Sequence, residues 1–332
     1  MGVTRVDAPG LCDLQVNGFA GVDFNDPATP VERYEVAAAR MRETGVTLFL
    51  PTVVTSTLEH FAACARPLAR WKNAASAGIH MEGPYISPVD GPRGAHPLEH
   101  VRGASVEDFR RRQDAAEGRI VLVTIAPEVE GAMALIEHLV ASGTRVAIGH
   151  SDASPAQICE AVTAGATLST HLGNGSARVM ARHPNLIWEQ LAADEIVSCF
   201  IADGHHLPAS TFKAMVRAKT PARAVLVTDA VAPAGCAPGR YRIGLIDVEL
   251  HPDGRVTMLG SSRLAGSALS LDVAVGHAVR LAGVSLDEAL AMASTLPARC
   301  LGLAPAGRIR GTWDAQACRL TVTEVTGKGV AR

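Results

Sequence analysis

Residues 145–174 read RVAIGHSDASPAQICEAVTAGATLSTHLGN and contain a strand, a helix and a second strand. The apolar run that begins at Arg145 ends in Gly149-His150-Ser151, and the helical pattern Pro155–Ala164 follows it. Another apolar run then begins at Leu168. A strand, a covering helix and a further strand make up the unit from which parallel sheets are built.

The same alternation continues through most of the chain. Eight strands are predicted, at Leu11–Val16, Val46–Val54, Gly78–Pro84, Ile120–Glu128, Arg145–Ser151, Leu168–Asn174, Val197–Gly204 and Ala224–Val231. Helical patterns are predicted at 31–44, 58–75, 131–142, 155–164 and 208–219, and again at 271–282 and 286–294. This is the pattern of an α/β protein with a (β/α)8 barrel. A doubly wound open sheet is the alternative, because alternation alone does not prove closure.

The division into domains follows from the same pattern. We predict one barrel domain over residues 9–305, including a β-hairpin at about 240–258 with its turn at Pro252-Asp253-Gly254. Residues 306–332 are predicted to form short strands, and they contain too little material for a core of their own. The basic run Arg110–Arg112 is interpreted as the solvent-exposed face of a helix.

Composition excludes several classes of protein. A hydrophobic content of 48% argues against disorder, and 31 basic against 33 acidic side chains, with 4% aromatic residues, favour neither nucleic acid nor an acidic membrane surface as a partner. No apolar run approaches the roughly 18 residues of a membrane span. The first ten residues have no signal-peptide core, and the seven cysteines form no C-x-x-C pair. We therefore expect a cytoplasmic protein.

Polar side chains stand at the ends of six of the eight predicted strands. They are Gln15 and Asn17, His80 and Glu82, His150, His171, Asp203 with His206, and Asp229. In a (β/α)8 barrel the active site is built at the carboxyl ends of the strands. A single histidine there is commonly structural, and a single aspartate commonly caps a turn. Their recurrence on six strands favours one shared site.

These residue types suit metal-assisted hydrolysis. One carboxylate and two imidazoles from three strands form a site for a divalent ion and leave a coordination position open. Hydrolysis also needs a carboxylate that takes a proton from water and later delivers it to the leaving group. Asp229 is favoured for this role, and Asp203 is the competing residue, because Asp203 also suits the turn that presents the following histidines.

A set of motifs now resembles a known family. In chain order they are Asp13-Leu-Gln-Val-Asn-Gly18, His80-Met-Glu-Gly-Pro84, Gly94-Ala-His96, Gly149-His-Ser151, Thr170-His-Leu172, Ile201-Ala-Asp-Gly204 with His206, Leu226-Val-Thr-Asp229 and Leu264-Ala-Gly-Ser267. They resemble the amidohydrolase superfamily and, within it, the N-acetylglucosamine-6-phosphate deacetylases. The resemblance extends from Pro9 to about Gly302.

The resemblance implies a metal site and an acid/base. It implies that Glu82, His150 and His171 bind one divalent metal ion, zinc or alternatively iron(II), and that Asp229 is the catalytic acid/base. Superfamily members with two metal ions carry His-x-His after the first strand, where this chain has Gln15 and Asn17. Amide side chains are poor zinc ligands, so a single ion is expected. Gln15, Asn17 and His80 are expected to line the site.

The resemblance also implies substrate contacts. His96 and His206 are expected to contact the sugar or its phosphate, and Asn174 and Gly175 to lie near the phosphate. In the family, the arginine at the position of Arg182 reaches the phosphate bound by a neighbouring subunit, which implies a homodimer; a solvent-exposed loop arginine is the alternative interpretation. Relatives have additional N-terminal residues that join a small β domain, which is expected here to be rudimentary or absent.

The implied reaction is hydrolysis of N-acetylglucosamine 6-phosphate to glucosamine 6-phosphate and acetate. Two departures leave the substrate open: Asn174-Gly175 replaces the usual Asn-Ala, and Arg182 is followed by His183-Pro184 in place of Glu-Pro. One alternative is another N-acyl substrate, such as N-acetylgalactosamine 6-phosphate or a non-phosphorylated acylamino sugar. A metal-bearing barrel that binds a sugar without turnover is the other alternative.

Overall fold

A computed structural model describes residues 2–327 of the chain. Its strands are β1 (Thr4–Pro9), β2 (Leu11–Val16), β3 (Gly18–Phe19), β4 (Val22–Asp23), β5 (Val46–Val54), β6 (Ile79–Glu82), β7 (Ile120–Ile125), β8 (Arg145–Ile148), β9 (Leu168–Ser169), β10 (Val197–Ile201), β11 (Ala224–Val227), β12 (Gly239–Ile243), β13 (Ile246–Leu250), β14 (Val256–Met258), β15 (Arg308–Asp314) and β16 (Arg319–Thr326).

Helices follow most strands of the main sheet. They are α1 (Val31–Glu43), α2 (Leu58–Arg70), α3 (Val106–Ala115), α4 (Ala132–Ala141), α5 (Pro155–Thr163), α6 (Leu186–Ala192), α7 (Ala209–Lys219), α8 (Leu271–His277), α9 (Leu286–Ala293) and α10 (Thr295–Cys300). Short 3-10 turns occupy Leu98–His100 and Pro221–Arg223, and a π-helical turn at Ala278–Ala282 continues α8.

The eight predicted strands form one sheet in the order β2-β5-β6-β7-β8-β9-β10-β11. Its first and last strands are joined where they end, since the Asp229 amide donates to the Gln15 carbonyl at 3.0 Å and Val16 forms a parallel bridge with Ala230. This closure distinguishes a barrel from an open sheet. The predicted (β/α)8 barrel is therefore confirmed, and the doubly wound alternative is wrong.

The chain divides into two compact units. Unit 1 comprises Met1–Thr52, Trp71–Ala77 and Ile201–Arg332, and unit 2 comprises Val53–Arg70 and Gly78–Phe200. The sequence-based division into residues 9–305 and 306–332 stays a prediction, and residues 328–332 lie outside the described range. No helix of the described residues has the length and apolar character that a membrane crossing requires.

Unit 1 contains two small antiparallel sheets. One has the order β1-β15-β16 and consists of two C-terminal strands and β1, a strand that the sequence pattern did not predict. The other has the order β12-β13-β14 and includes the predicted hairpin with its turn between β13 and β14. Gly244, at a φ of +52°, lies in a further turn between β12 and β13, and its amide donates to Asp23 Oδ2.

Unit 2 contains α2 to α6, and α3 and α5 each begin with a serine cap. The Ser105 hydroxyl accepts from the amide of Asp108 at the start of α3, and Ser154 forms a capping box with Gln157 at the start of α5. Arg110 is exposed, as predicted, but Arg112 is fully buried. The solvent-exposed interpretation of Arg112 is therefore wrong: its guanidinium pairs with Asp108, one helical turn earlier.

Candidate active site

Three side chains of types that commonly bind metal ions lie close together in unit 2. Glu82 ends β6, and His150 and His171 each follow a strand by two residues. Their ligand atoms all lie within 4.8 Å of one another, and Glu82 Oε1 is 3.2 Å from Nε2 of each histidine. All three side chains are buried. Among the described residues, they form the one group of three or more His, Cys, Asp or Glu side chains with this geometry.

The backbone of both histidines is unusual. His150 has a φ of +52° and His171 a φ of +27°, in the left-handed region that side chains rarely adopt. Gly149 allows this turn, since a Cβ at that position would lie 2.6 Å from Cβ of Thr170. Strain of this kind is maintained where a site needs a particular side-chain direction. Here it directs both imidazoles toward Glu82.

The arrangement fits a divalent cation. His150 Nδ1 lies 2.9 Å from the carbonyl oxygen of Pro92, which can only accept, so Nδ1 carries the proton and Nε2 presents a lone pair to Glu82. Burial raises the pKa of the Glu82 carboxyl, but the adjacent His150 and His171 outweigh this effect and hold that pKa well below its usual range, so the carboxylate is ionised. An ionised carboxylate beside the Nε2 atoms of two imidazoles forms a donor set that a bound cation stabilises.

A fourth histidine lies beside this cluster. The ring centroid of His96 is 4.3 Å from that of His150, and His96 Nδ1 is 2.8 Å from the hydroxyl oxygen of Thr55. Burial, followed by the neighbouring His150 ring, lowers the pKa of His96 to about 3, so the His96 ring is neutral near pH 7. Sequence reasoning did not single out Thr55, a small polar residue just after an apolar strand and without a motif of its own.

Asp229 lies in unit 1 beside Gln15 and Asn17, the two amide side chains found where two-metal superfamily members carry His-x-His. Its Oδ1 accepts from Gln15 Nε2 at 3.0 Å and from Asn17 Nδ2 at 2.7 Å, and its φ is +52°. The side chain of Asp229 is 8% exposed. The structure therefore places these three predicted residues in contact with one another. The two amide groups fix one carboxylate oxygen of Asp229 as an acceptor.

Asp13 supports the same turn from inside the barrel. Its Oδ2 accepts from the Thr228 hydroxyl at 2.6 Å, and its Oδ1 accepts from the amides of Thr228 and Gln15, each at 3.2 Å. Burial raises the pKa of Asp13 to about 6 despite these hydrogen bonds. Asp13 begins the motif Asp13-Leu-Gln-Val-Asn-Gly18, but no role was predicted for it. A charged residue within the apolar run of β2 was the available signal.

Asp203 holds His206, in agreement with the turn-forming role considered for it. Asp203 Oδ1 accepts from the amides of His205 and His206, and its Oδ2 lies 2.6 Å from His206 Nδ1. Burial lowers the pKa of His206, but the hydrogen bond and charge of Asp203 outweigh it and raise that pKa above its usual value. His206 is therefore suited to carry a positive charge.

The other predicted residues of unit 2 fall into two groups. Asn174 Nδ2 donates to the His171 carbonyl at 3.2 Å, and a Cβ on Gly175 would lie 2.9 Å from His150 Nδ1, which explains glycine at this position. His80 is buried and its Nε2 is 2.8 Å from the Thr124 hydroxyl. Arg182, by contrast, is exposed on the segment before α6.

Known proteins resemble this chain in sequence and fold. The profile of the amidohydrolase family matches residues 8–320. An N-acetylgalactosamine-6-phosphate deacetylase of Escherichia coli O157:H7 is 38% identical over 91% of this chain and 80% of its own length, and an N-acetylglucosamine-6-phosphate deacetylase of Bos taurus is 37% identical over 92% and 76%.

Solved structures agree with these relatives. A mutant N-acetyl-D-glucosamine-6-phosphate deacetylase of Mycobacterium smegmatis, in complex with N-acetyl-D-glucosamine-6-phosphate, has a TM-score of 0.90 and 30% identity, covering 98% of this chain and 87% of its own. The N-acetylglucosamine-6-phosphate deacetylase of Pasteurella multocida has a TM-score of 0.87, 28% identity and 98% and 86% coverage. With its fold, its buried Glu-His-His cluster and these relatives, the chain belongs to the amidohydrolase family and is a hydrolase of that family.

Proposed function

We propose that this enzyme is a metal-dependent deacetylase that converts N-acetylglucosamine 6-phosphate to glucosamine 6-phosphate and acetate. The buried convergence of Glu82, His150 and His171 carries the proposal, because this donor set suits metal-assisted hydrolysis. The substrate is inferred from the names of relatives that cover nearly the whole chain. A cytoplasmic location stays a prediction from the sequence.

Glu82, His150 and His171 would hold one divalent ion, which we assign as zinc, with iron(II) as the alternative. When bound, such an ion makes water more acidic and polarises a carbonyl oxygen. Glu82 would contribute negative charge, and the two imidazoles would contribute their Nε2 atoms as ligands. His80 is proposed to support the cluster through its hydrogen bond with Thr124.

Asp229 is the proposed acid/base of the reaction. Its carboxylate takes a proton from the attacking water as the new C–O bond forms at the acetamide carbon. It then delivers that proton to the amine nitrogen as the C–N bond breaks, so that acetate and an amino sugar leave. Gln15 and Asn17 orient the carboxylate through its Oδ1.

The substrate contacts are also proposals. Neutral His96 can offer an N–H group to the acetamide oxygen as negative charge develops there, provided that the Thr55 hydroxyl donates to its Nδ1. His206 suits an anionic or hydroxyl group of the sugar, because Asp203 favours its charged form. Asn174, Gly175 and Arg182 are assigned to the phosphate end, with Arg182 contributed by the partner chain of a homodimer.

N-acetylgalactosamine 6-phosphate is the second candidate substrate, and the E. coli relative, whose name gives that activity, supports it. The two sugars differ only in the configuration at C4, so the Glu-His-His cluster and Asp229 would serve both. A direct comparison of the two esters therefore decides between them.

The deciding experiment measures acetate release from both 6-phosphate esters and from unphosphorylated N-acetylglucosamine, with zinc-loaded and chelated enzyme. We expect turnover to require the metal and kcat/KM to be highest for N-acetylglucosamine 6-phosphate. A higher value for the galactosamine ester would establish the second candidate. If the protein binds zinc but releases acetate from none of the three compounds, the proposed substrate class is wrong.

A further inference from the structure

Arg112 is an unusual residue for the interior of unit 2. Its side chain is 0% exposed, its guanidinium carbon lies 5.2 Å above the centre of the Phe61 ring, and its Nε donates to Asp108 Oδ2 at 2.8 Å. Burial removes the Arg112 guanidinium from water, whereas the Asp108 side chain stays 16% exposed, and an apolar pair of similar size often stabilises a fold equally well. Stability alone therefore does not account for this pair.

On one side, the pair holds the segment that carries Thr55. Arg112 Nη2 donates to the carbonyl oxygen of Ser56 at 3.4 Å. Thr55, the preceding residue, is the hydrogen-bonding partner of His96 Nδ1. Its hydroxyl also lies 3.4 Å from the carbonyl oxygen of Glu82. The guanidinium on α3 thus fixes the backbone next to a residue that contacts two members of the candidate site.

On its other side, the pair holds the segment that follows Glu82. Tyr85 is fully buried, three residues after Glu82, and its hydroxyl donates to Asp108 Oδ2 at 2.7 Å. Burial and the adjacent Asp108 charge raise the pKa of Tyr85, so its hydroxyl stays a donor. The Arg102 amide also donates to the Pro84 carbonyl at 3.1 Å. The segment leaving Glu82 is therefore bound to α3 and to the residues preceding it.

We propose that Tyr85, Asp108 and Arg112 form a positioning network that fixes Glu82 and Thr55 in the candidate site. None of the three needs to touch the metal or the substrate. Asp108 joins the phenol and the guanidinium at one oxygen, so both held segments share a single anchor on α3. Displacement of a metal ligand or its supporting groups typically weakens metal binding. The catalytic part of this inference rests on the proposed function, whereas the metal-binding part does not.

The test uses two conservative variants of the full-length protein. Tyr85→Phe removes one hydroxyl and keeps the ring, and Arg112→Lys keeps the charge but cannot reach both Asp108 and Ser56. Tyr34→Phe is the matched control, since Tyr34 is also fully buried but packs against Phe24 and Trp71 in unit 1. Zinc affinity is measured by chelator competition without substrate, alongside thermal unfolding of the metal-free protein and steady-state kinetics.

We expect both network variants to bind zinc about tenfold more weakly, as when a residue that supports a metal ligand is lost. Their unfolding temperatures should stay within a few degrees of the wild type, and kcat should fall while KM changes little. Zinc affinity equal to that of Tyr34→Phe would overturn the proposal. So would a loss of affinity that parallels a large loss of stability, because the role would then be structural. If the proposed substrate is wrong, only the kinetic readout is lost.

Discussion

At the scale of single residues, the side-chain amides of Gln15 and Asn17 fix the orientation of the Asp229 carboxylate. Both donate to Oδ1 of Asp229, and an amide nitrogen cannot act as a metal ligand in the way an imidazole does. Gln15 and Asn17 occupy the positions at which two-metal superfamily members carry histidines, and here they donate hydrogen bonds to a carboxylate. This arrangement supports the proposal of a single metal ion with Asp229 as the acid/base.

Substitution Asp229→Asn tests that role with almost no change in shape. The Oδ1 of asparagine still accepts from Gln15 and Asn17, but the side chain can no longer take a proton. We expect acetate release to fall by about a thousandfold, within the range that general acid/base groups contribute. Calorimetric titration should show unchanged affinity for the sugar phosphate. Undiminished acetate release would remove Asp229 from the mechanism, and joint loss of binding and turnover would make it a binding residue.

Asp13 gives a prediction about stability and pH. Because burial raises its pKa from 3.8 to about 6, the folded state prefers the protonated carboxyl. The free energy of unfolding therefore has its full value below pH 3.8 and falls as the pH rises from 3.8 to about 6. Above that pH it is lower by about 3 kcal/mol, at about 1.4 kcal/mol per pKa unit.

The variant Asp13→Asn should abolish this pH dependence. Its carbonyl oxygen can accept from the amides of Thr228 and Gln15, and its NH2 group can donate to the Thr228 hydroxyl once that hydroxyl donates to the Gln15 carbonyl. We expect the variant to gain up to about 3 kcal/mol over the wild type at pH 7.5 and little at pH 4. Urea unfolding at both pH values measures the difference. A gain or loss that is equal at both would contradict the burial argument.

At the scale of elements, the Asn185 side chain links the start of α6 to the segment that carries Arg182. The Asn185 side chain accepts from the amides of Ile187 and Trp188, and its Nδ2 donates to the carbonyl oxygens of Ala181 and Arg182. One side chain therefore starts the helix and holds the segment that carries Arg182. Its loss should affect both stability and phosphate recognition.

Replacement of Asn185 by alanine should lower the free energy of unfolding by about 1 kcal/mol. If Arg182 binds phosphate, this variant should also raise KM for the 6-phosphate ester far more than for the unphosphorylated sugar. Ser285→Ala, which removes the cap of α9, is the control for stability loss alone. Equal KM changes for both sugars, or the same selective change in Ser285→Ala, would contradict the link between α6 and phosphate.

The sequence predicted long buried strands well and short or distant pairings poorly. β2 and β5 have the predicted bounds, because an apolar run buried on both faces has a clear signal. β9 is only two residues long, since the backbone turns at His171 to direct its ring toward Glu82. β1 was missed because its partner, β15, is distant in sequence.

The candidate site shows the same limit. The convergence of Glu82, His150 and His171 could be predicted because these residues lie at strand ends, and strand ends converge in a barrel. The contacts of Thr55 and Arg112 depend on how α3 packs, which local pattern does not specify. A basic run such as Arg110–Arg112 is normally solvated, so the burial of one member could not be read from its sequence.

At the scale of the whole molecule, the proposed homodimer depends on exposed apolar groups near Arg182. Val179 is 90% exposed, and Trp188 is 54% exposed while its Nε1 donates to the Arg182 carbonyl at 3.2 Å. Exposed large apolar side chains in one segment are typical of an association surface. Burial of this surface against a second copy would place Arg182 at the partner's phosphate site, as the family resemblance implies.

Light scattering should therefore give twice the mass of one chain. The substitution Val179→Asp, which adds a charge to the association surface, should yield monomers and raise KM for the 6-phosphate ester while leaving the unphosphorylated sugar unaffected, because only the ester would use the partner's Arg182. Leu245→Asp is the control, since Leu245 is 58% exposed on the β12–β13 turn and outside this surface. A monomeric wild type, or dissociation by Leu245→Asp as well, would contradict the assignment. A Val179→Asp monomer with unchanged KM would separate the dimer from phosphate binding and leave Arg182 as an ordinary loop residue.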